Sequence, residues 1–250
     1  MNRNYFTQND VVRLKKTASL LREDILRMIF AAKAGHPGGA LSAVEVITAL
    51  YAALAERGFF PKEVMGTLRQ YHSILQGHPD MNKVPGLDMT AGSLGNGLSI
   101  GLGMALSAKL KKQDYMVYVM LGDGEIQEGM VWEAAMAAAH HDVSNLIAIV
   151  DCNGVQINGW VNDILRVEPL ADKWKAFGWN VIEINGHDMA QVLEALHRAR
   201  SMRGPAVILS RTVKGKGVSF MEDNPAWHGS APNAEQLEQA LKEIAEGRDA

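Results

Sequence analysis

The sequence predicts an α/β fold in which a doubly wound, mostly parallel sheet has helices on both faces. Short apolar runs at 115–121 and 145–150 are rich in β-branched and aromatic residues and stop at turn-forming residues. A helix-length stretch separates the two runs, which is typical of a βαβ unit with parallel strands. Further apolar runs at 180–184 and 206–213 alternate with helix-period segments. This alternation indicates a parallel sheet that is covered on both sides.

The helices are predicted from the spacing of apolar residues and from their end signals. The first ends where the Gly35–Gly39 run begins, and Ser42-Ala43-Val44-Glu45 matches a capping box that starts the second. Residues 59–90 are rich in turn formers. In the first half of the chain, helices are predicted over 11–34, from Ser42 to about Arg57, and from the Gly92–Gly97 segment to about Leu110. A further helix lies between the first two strands. In the second half, one helix ends within 174–179, another covers 190–200, and the last covers 234–245 with Asn233 as its cap.

The composition is that of an ordinary globular protein, with 47% hydrophobic and 21% charged residues in a chain of 250. A net charge of -3 gives no positive field for a phosphate backbone, so nucleic acid is not an expected partner. The single cysteine, Cys152, excludes an intrachain disulfide and favours the cytoplasm. No signal-type N-terminus, membrane-length apolar stretch, repeat or linker is present. We therefore expect one cytoplasmic domain over residues 1–250, away from membranes.

Oxygen-bearing side chains follow the first two predicted strands. Asp123 lies in a Gly-Asp-Gly turn after the first strand, and Asn153 follows the second strand. Ligands of parallel sheets bind beyond the carboxyl ends of the strands, so these residues are expected to be neighbours in a crevice. Such oxygens suit Mg²⁺ or Ca²⁺ together with phosphate oxygens. A Gly-Asp-Gly turn is also a common structural device, but the second strand-end motif favours a metal-bridged diphosphate.

Glycines and lysines near the predicted helix starts have two open interpretations. The Gly92–Gly97 segment precedes a helix, where free amides favour an anion. Close helix packing through Gly97, Gly101, Gly103 and Ala105 explains these glycines equally well. Lys214 and Lys216 could meet a phosphate or could lie in a solvated loop. Cys152 is interpreted as a small core residue, since a zinc site would need more thiolate or imidazole ligands nearby.

Three histidines are candidates for proton transfer. His36, His78 and His228 each lie in a loop beside glycine or proline. An imidazole titrates near neutrality and can exchange protons with a polar substrate, although a lone loop histidine is more often a surface residue. The His140-His141 pair is expected at a helix end, where it compensates the helix dipole.

Together, these motifs resemble those of the thiamine diphosphate-dependent enzymes, and more narrowly the N-terminal subunit of a split bacterial transketolase. The resemblance covers nearly the whole chain. The matching stretches are Ala34–Gly39, Gly77–Pro79, Gly92–Gly95, Gly122–Gly124 with Gln127–Gly129, Ile149–Asn153, Gly186–Asp188, and Thr212–Gly217 running to Trp227–Gly229.

The resemblance implies a role for each matching residue. Asp123, Asn153 and the backbone carbonyl of Val155 would hold Mg²⁺, or Ca²⁺ or Mn²⁺ in its place. The residues implied to line thiamine diphosphate are Gly92, Ser93, Leu94, Gly124, Asn153 and His228. The residues implied to face the sugar hydroxyls and pass protons are His36, His78 and His228. Glu128 would lie at the contact with a partner chain.

The implied reaction transfers a two-carbon ketol unit from a ketose phosphate to an aldose phosphate, as in the pentose phosphate pathway. Transketolases also need a pyrimidine-binding domain with an activating glutamate, and 250 residues hold only the diphosphate-binding half. An obligate C-terminal partner subunit, in a heterotetramer of two of each chain, is therefore expected.

The sequence departs from the family after Tyr51, where a segment ending in Ser-Lys-Gly-His is missing. That segment contributes a sheet strand and a histidine near the diphosphate in family members. Two alternatives therefore stand beside the transketolase hypothesis. One is a catalytically silent or impaired interaction subunit, and the other is a deoxyxylulose phosphate synthase-like reaction, over which the Lys214–His228 stretch favours transketolase.

Overall fold

The structure, a computed structural model, describes residues 6–44, 54–55 and 57–248. Their contacts form two compact units. One is built mainly from Ser93–Thr212, and the other from Gln8–Gly92 and Val213–Ala250. Each unit has an apolar core of its own, and one domain over residues 1–250 stays a prediction.

The α-helices of the described residues are numbered in chain order. They are α1 (Gln8–Ala32), α2 (Pro37–Ser42), α3 (Asn96–Lys111), α4 (Gly129–His140), α5 (Val161–Ile164), α6 (Leu170–Ala176), α7 (Met189–Arg200) and α8 (Ala234–Arg248). Short 3-10 helices cover Lys62–Thr67, Glu125–Gln127 and Pro225–Trp227. No helix in the described ranges is long and apolar enough to cross a membrane.

The first unit is built around a parallel sheet, which confirms the predicted fold class. Its strands are β1 (Val117–Gly122), β2 (Leu146–Cys152), β5 (Asn180–Asn185) and β6 (Ala206–Arg211), and a small hairpin of β3 (Val155–Gln156) and β4 (Gly159–Trp160) follows β2. The spatial order is β1-β2-β6-β5, with every neighbouring pair parallel. Gly122 of β1 pairs with Asp151 of β2, so the carboxyl ends of these strands are level.

Complete burial of β2 shows that both faces of the sheet are covered. All seven of its residues are buried, as its nearly continuous apolar sequence predicts. Helix α3 lies directly against β1, because a Cβ at Gly101 would overlap a methyl carbon of Val119. The packing role predicted for the glycines of this helix is therefore right for Gly101. It does not hold for Gly103, where a Cβ would meet open space.

In the second unit, α1 packs against α8 and α2. One of its apolar clusters contains Leu26, Leu41, Val218, Met221, Ala240 and Ile244. Helix α8 begins with the predicted cap, since Asn233 Oδ1 accepts a hydrogen bond from the Gln236 amide at 2.9 Å. Arg22 is buried on α1, and its guanidinium donates to the carbonyls of Leu41 and Lys216.

The segment after α1 differs from its prediction. A new helix begins at Pro37, where proline suits the first helical turn because its fixed φ is helical and its missing N–H needs no partner. Ser42 ends this helix rather than starting the next, and its hydroxyl donates to the Gly39 carbonyl at 3.0 Å. Glu45, Tyr51 and most of the helix predicted up to Arg57 lie outside the described residues.

Candidate functional site

Asp123 joins the ends of β1 and β2 in the first unit. Its side chain is 5% exposed, and its Oδ1 accepts a hydrogen bond from the Gly124 amide at 2.9 Å. Its Oδ2 accepts one from the Gly154 amide at 2.6 Å. Gly154 directly follows Asn153, so the two residues predicted at neighbouring strand ends do lie together.

Asn153 is held at both ends of its carboxamide. Its Oδ1 accepts a hydrogen bond from the Val155 amide at 3.0 Å, and its Nδ2 donates to Asp151 Oδ2 at 2.8 Å. The hydroxyl of Thr212 donates to the other oxygen of Asp151. The side chains of Asp151 and Asn153 are both buried. The turn after β2 therefore carries a connected set of buried polar groups.

The donor set at these strand ends fits a hard divalent cation. Asp123 supplies a carboxylate and Asn153 an amide oxygen, which are the oxygen ligands that Mg²⁺ and Ca²⁺ prefer. In the part of the chain that the structure describes, no three His, Cys, Asp or Glu side chains cluster to hold a metal. A cation at Asp123 would therefore take further ligands from other oxygens, as Mg²⁺ does with substrate phosphates.

Glu125 ties the glycine-rich turn before α3 to the end of β1. One of its carboxylate oxygens accepts from the Gly95 amide at 2.9 Å, and the other from the Gly122 amide at 3.1 Å. Gly95 has a φ of +84° and precedes α3 directly. Ser93 and Leu94, predicted to line the cofactor, are exposed just before this turn.

Glu128 and Gly124 lie on either side of the 3-10 helix that follows Asp123. Glu128 is exposed, and its place at a partner contact stays a prediction. A Cβ at Gly124 would lie 2.9 Å from Cβ of Gln156, so the turn after Asp123 packs closely on the β3–β4 hairpin. Gln127 donates to the Gln156 side chain at 2.7 Å and to the Leu165 carbonyl at 2.8 Å.

An apolar cavity of about 370 Å³ adjoins this turn in the first unit. Its lining residues are Ile126, Gln127, Trp132, Leu165, Arg166, Val167, Lys173 and Phe177. The indole N–H of Trp132 donates to the Ile126 carbonyl at 2.9 Å, and the Trp132 ring lies against Trp174 and Phe177. The turn that carries Asp123 is therefore supported by an aromatic cluster.

Two of the predicted histidines meet in the second unit. The rings of His36 and His228 are 5.4 Å apart, edge to face, and Lys214 Nζ lies 2.9 Å from Nδ1 of His228. Lys214 is 2% exposed, so the solvated-loop interpretation of this residue is wrong. An ammonium group can only donate, so Nδ1 of His228 accepts and the neutral ring carries its proton on Nε2.

Burial and neighbouring cations keep these two imidazoles neutral. Burial lowers the pKa of His228 to about 4, and Lys214 and His36 contribute to the same shift. Burial also lowers the pKa of His36, and the charge of Arg69 is the next largest cause. Both rings are therefore uncharged at neutral pH and can serve as hydrogen-bond donors or proton acceptors.

His78 and Gly92 form a separate contact in the second unit. Gly92 has a φ of +132°, and a Cβ there would come within 2.8 Å of the His78 ring. His78 is exposed, and its charge is one of the causes that lower the pKa of His36. The structure thus brings His36 and His228 into ring contact and leaves His78 as an electrostatic neighbour of His36.

The sequence pattern points to some of the site residues and misses others. Glu125, Asp151 and Thr212 are not singled out by it, and Lys214 has two interpretations. Asp151 carries a usable signal, since it stands two residues before Asn153 at a strand end, where a carboxylate is costly without partners. Cys152 is buried in the core as predicted, and its burial raises the pKa of its thiol.

Residues 50–247 match the family described as transketolase, thiamine diphosphate binding domain. The chain therefore belongs to the transketolase family. This confirms its resemblance to the N-terminal subunit of a split transketolase, because several of its relatives are separate subunits. It is 39% identical to an apulose-4-phosphate transketolase subunit of Phocaeicola vulgatus, over 90% of this chain and 91% of the relative.

Other relatives agree with this assignment. The 6-deoxy-6-sulfo-D-fructose transketolase subunit SqwG of a Clostridium species is 38% identical, over 92% of this chain and 96% of the relative. Human transketolase is 32% identical over 95% of this chain, which spans 43% of the human protein. A crystal structure of transketolase from Campylobacter jejuni superposes with a TM-score of 0.88 at 27% identity, over 93% of this chain and 42% of that one.

Proposed function

We propose that this chain is the N-terminal subunit of a two-chain transketolase that transfers a two-carbon ketol unit from a ketose phosphate to an aldose phosphate. The observation that carries the proposal is the arrangement of Asp123 and Asn153 at the level ends of β1 and β2. Two buried oxygen ligands are connected there through the Gly154 amide. Such an arrangement suits a divalent ion that also binds a diphosphate.

In this proposal Asp123, Asn153 and the backbone carbonyl of Val155 hold the metal, which is Mg²⁺ or, with the same ligands, Ca²⁺ or Mn²⁺. The metal-binding oxygens are preorganised. Gly154 fixes one oxygen of Asp123, and the Val155 amide fixes the oxygen end of Asn153. A carboxylate oxygen and an amide oxygen are both ligands that such a cation takes in proteins.

Thiamine diphosphate, when bound, supplies the nucleophilic carbon that takes up and delivers the two-carbon unit. The residues proposed to line it are Gly92, Ser93, Leu94, Gly124, Asn153 and His228. The N-terminus of α3 follows the first three of these, and the positive end of its helix dipole favours an anion. Glu125 uses its carboxylate to hold the Gly95 and Gly122 amides, which fixes the backbone on both sides of this anion site.

The histidines His36, His78 and His228 are proposed to manage protons on the sugar. His228 is neutral with its proton on Nε2, so this atom donates a hydrogen bond to a substrate or phosphate oxygen. His36 is also neutral at pH 7 and can accept a proton from a sugar hydroxyl. Lys214 supplies a buried positive charge beside them, which favours an anionic ligand.

A C-terminal partner subunit is proposed to supply the pyrimidine-binding half. The chain spans more than 90% of relatives that are named as subunits but less than half of human transketolase. We propose a heterotetramer of two of each chain, with Glu128 at the contact between N- and C-terminal subunits. Two relatives are named for sugars with a phosphate or sulfo group, which supports an anionic ketose as the donor.

A second candidate is a silent or impaired transketolase-like subunit, and one observation favours it. The alignment with the P. vulgatus relative extends over 257 positions, although only 90% of this 250-residue chain takes part. That relative therefore carries residues with no counterpart here, in line with the segment missing after Tyr51.

The cytoplasmic location and the place in the pentose phosphate pathway stay predictions.

The test is to purify the chain from its native cell, identify the bound subunit, and measure ketol transfer by the pair with thiamine diphosphate and Mg²⁺. Turnover by the pair, and none by either chain alone, is the expected result. Co-purification without turnover on any ketose phosphate would instead identify the silent subunit. Turnover by this chain alone would exclude the need for a partner.

A further inference from the structure

We propose that Asp151 is a positioning residue that sets the orientation of the Asn153 carboxamide, so that its oxygen and not its NH₂ group is offered to the divalent ion. The inference rests on the proposed function, since it concerns the metal ligand proposed there. It assigns a role to a side chain that does not itself bind the ion.

The two ends of the Asn153 side chain are chemically different, and each meets a partner whose hydrogen-bonding role matches it. A carboxylate such as Asp151 accepts hydrogen bonds, and a backbone amide such as that of Val155 donates them. Nδ2 lies 2.8 Å from Asp151 Oδ2, and Oδ1 lies 3.0 Å from the Val155 nitrogen. A flipped carboxamide would place oxygen against oxygen and NH₂ against N–H. The observed orientation is therefore the one that both partners favour.

Asp151 is itself fixed. Its backbone pairs with Gly122 of β1 and Ser210 of β6, so its Cα is held between two neighbouring strands. The Thr212 hydroxyl donates to Oδ1, and the Asn153 NH₂ group donates to Oδ2. The residue is 6% exposed, and a carboxylate at such a depth is costly unless hydrogen bonds compensate it. An apolar residue would fill this position without the cost of removing a charge from water. The presence of a carboxylate therefore indicates a role that needs a hydrogen-bond acceptor.

The orientation matters because the two ends of a carboxamide respond oppositely to a cation. The oxygen binds it, whereas the NH₂ group repels it. Residues that orient metal ligands typically contribute about 10–100-fold to metal affinity, as judged by their mutation. We therefore expect Asp151→Asn to weaken the binding of Mn²⁺, in the presence of saturating thiamine diphosphate, by about tenfold or more.

Loss of the negative charge of Asp151 could weaken metal binding without any change in orientation. Asn153→Asp separates the two explanations, because both oxygens of a carboxylate are equivalent and need no orienting. In that background two carboxylates, at positions 151 and 153, face each other. Asp151→Asn replaces the first of them with a neutral side chain that can donate a hydrogen bond. If Asp151 orients the ligand, Asp151→Asn lowers affinity about tenfold or more in the parent and much less in the Asn153→Asp background, where only the charge of Asp151 is lost. If it acts by charge alone, the substitution lowers affinity equally in both backgrounds.

The experiment measures free Mn²⁺ by electron paramagnetic resonance for the full chain, the two single variants and the double variant, each checked for its melting temperature without metal. A loss of affinity that is several-fold larger in the parent than in the Asn153→Asp background supports the inference. Equal losses in both, or no loss in the parent, overturn it and leave the proposed function standing. If the parent chain itself binds no Mn²⁺, the proposed function falls first and the inference with it.

Thr212→Val provides a second route if Asp151→Asn does not fold. It removes the donor that holds the far oxygen of Asp151, but leaves the Asp151 carboxylate in place. The expected result is a several-fold loss of Mn²⁺ affinity in the parent and none in the Asn153→Asp background. Equal affinity of Thr212→Val and the parent would contradict the orienting role.

Discussion

Lys214 donates a hydrogen bond to Nδ1 of His228 across 2.9 Å, from a side chain that is almost entirely buried. This contact fixes the tautomer of the imidazole, because an ammonium group has no lone pair to offer. Protonation of the ring would bring a second N–H against the ammonium. The pair is therefore stable only while His228 is neutral.

The first prediction concerns the titration of His228. Burial lowers its pKa to about 4, and Lys214 is the next cause. Lys214→Met removes that charge and the hydrogen bond, so the pKa of His228 should rise toward the ordinary value near 6.5. NMR titration of the imidazole signals measures this change. Lys216→Met is the matched control, since Lys216 pairs with Glu222, and it should leave the His228 titration unchanged.

The same shift predicts how stability depends on pH. Between about pH 6.5 and pH 4, His228 is protonated in the unfolded state but neutral in the folded state. The free energy of unfolding therefore falls as the pH is lowered. His36 adds to this trend, because its pKa is also lowered. Denaturant unfolding at a series of pH values should show a shallower acid slope in His228→Gln. An unchanged slope would contradict the lowered pKa.

The second prediction compares two glycines of α3. Alanine favours a helix over glycine by about 1 kcal/mol, so both substitutions start with the same gain. At Gly101 a Cβ would overlap Val119, and overpacking of this kind costs about 1–3 kcal/mol. At Gly103 a Cβ meets open space. Gly103→Ala should therefore stabilise the chain and Gly101→Ala destabilise it, as measured by urea unfolding. Equal effects would refute the close packing of α3 on β1.

The third prediction concerns the Glu125 carboxylate. Glu125→Ala leaves the amides of Gly95 and Gly122 without their acceptor, which should cost about 2–4 kcal/mol of unfolding free energy. Glu125→Gln keeps one oxygen acceptor and should cost less. Glu128→Ala is the control, because this exposed side chain makes no capping hydrogen bond and its loss should stay within about 0.5 kcal/mol. A loss in Glu128→Ala as large as in Glu125→Ala would rule out the specific role.

The fourth prediction tests the cofactor site through stability. Thiamine diphosphate with Mg²⁺ at a hundred times its dissociation constant should add about 2.7 kcal/mol to the parent. For a chain of this size that corresponds to a rise of roughly 5–10 °C in melting temperature. Asp123→Ala should abolish the rise, and Asp172→Ala, at an exposed position of α6, should retain it. A parent that shows no rise would contradict cofactor binding.

The sheet and its strand ends are predictable from the sequence because those features are local. Asp123 and Asn153 each follow a strand directly, and parallel strands bring their carboxyl ends to one edge. The contacts of Glu125 are beyond such reasoning, because Gly95 is thirty residues away in the chain and its approach depends on how α3 packs on β1. Patterns of alternation and periodicity carry no information about such a distance.

The burial of Lys214 is also beyond prediction. A lysine between a valine and a glycine in Lys-Gly-Lys-Gly has the composition of a surface loop. The side chain is buried because Gly38 of α2 lies against it, where a Cβ would come within 3.1 Å of the lysine. The early start of α2 at Pro37 creates that contact, whereas the glycines and proline of this stretch predict only a break between helices.

Trp132 donates a hydrogen bond to the carbonyl of Ile126, so the fluorescence of its indole ring reports on the turn that contains Ile126. Ile126 stands three residues after Asp123, so any shift of that turn alters the surroundings of an indole ring. Intrinsic fluorescence can therefore follow events at the strand ends without an added dye, and replacing Trp132 with phenylalanine would remove its contribution from the emission of the five tryptophans.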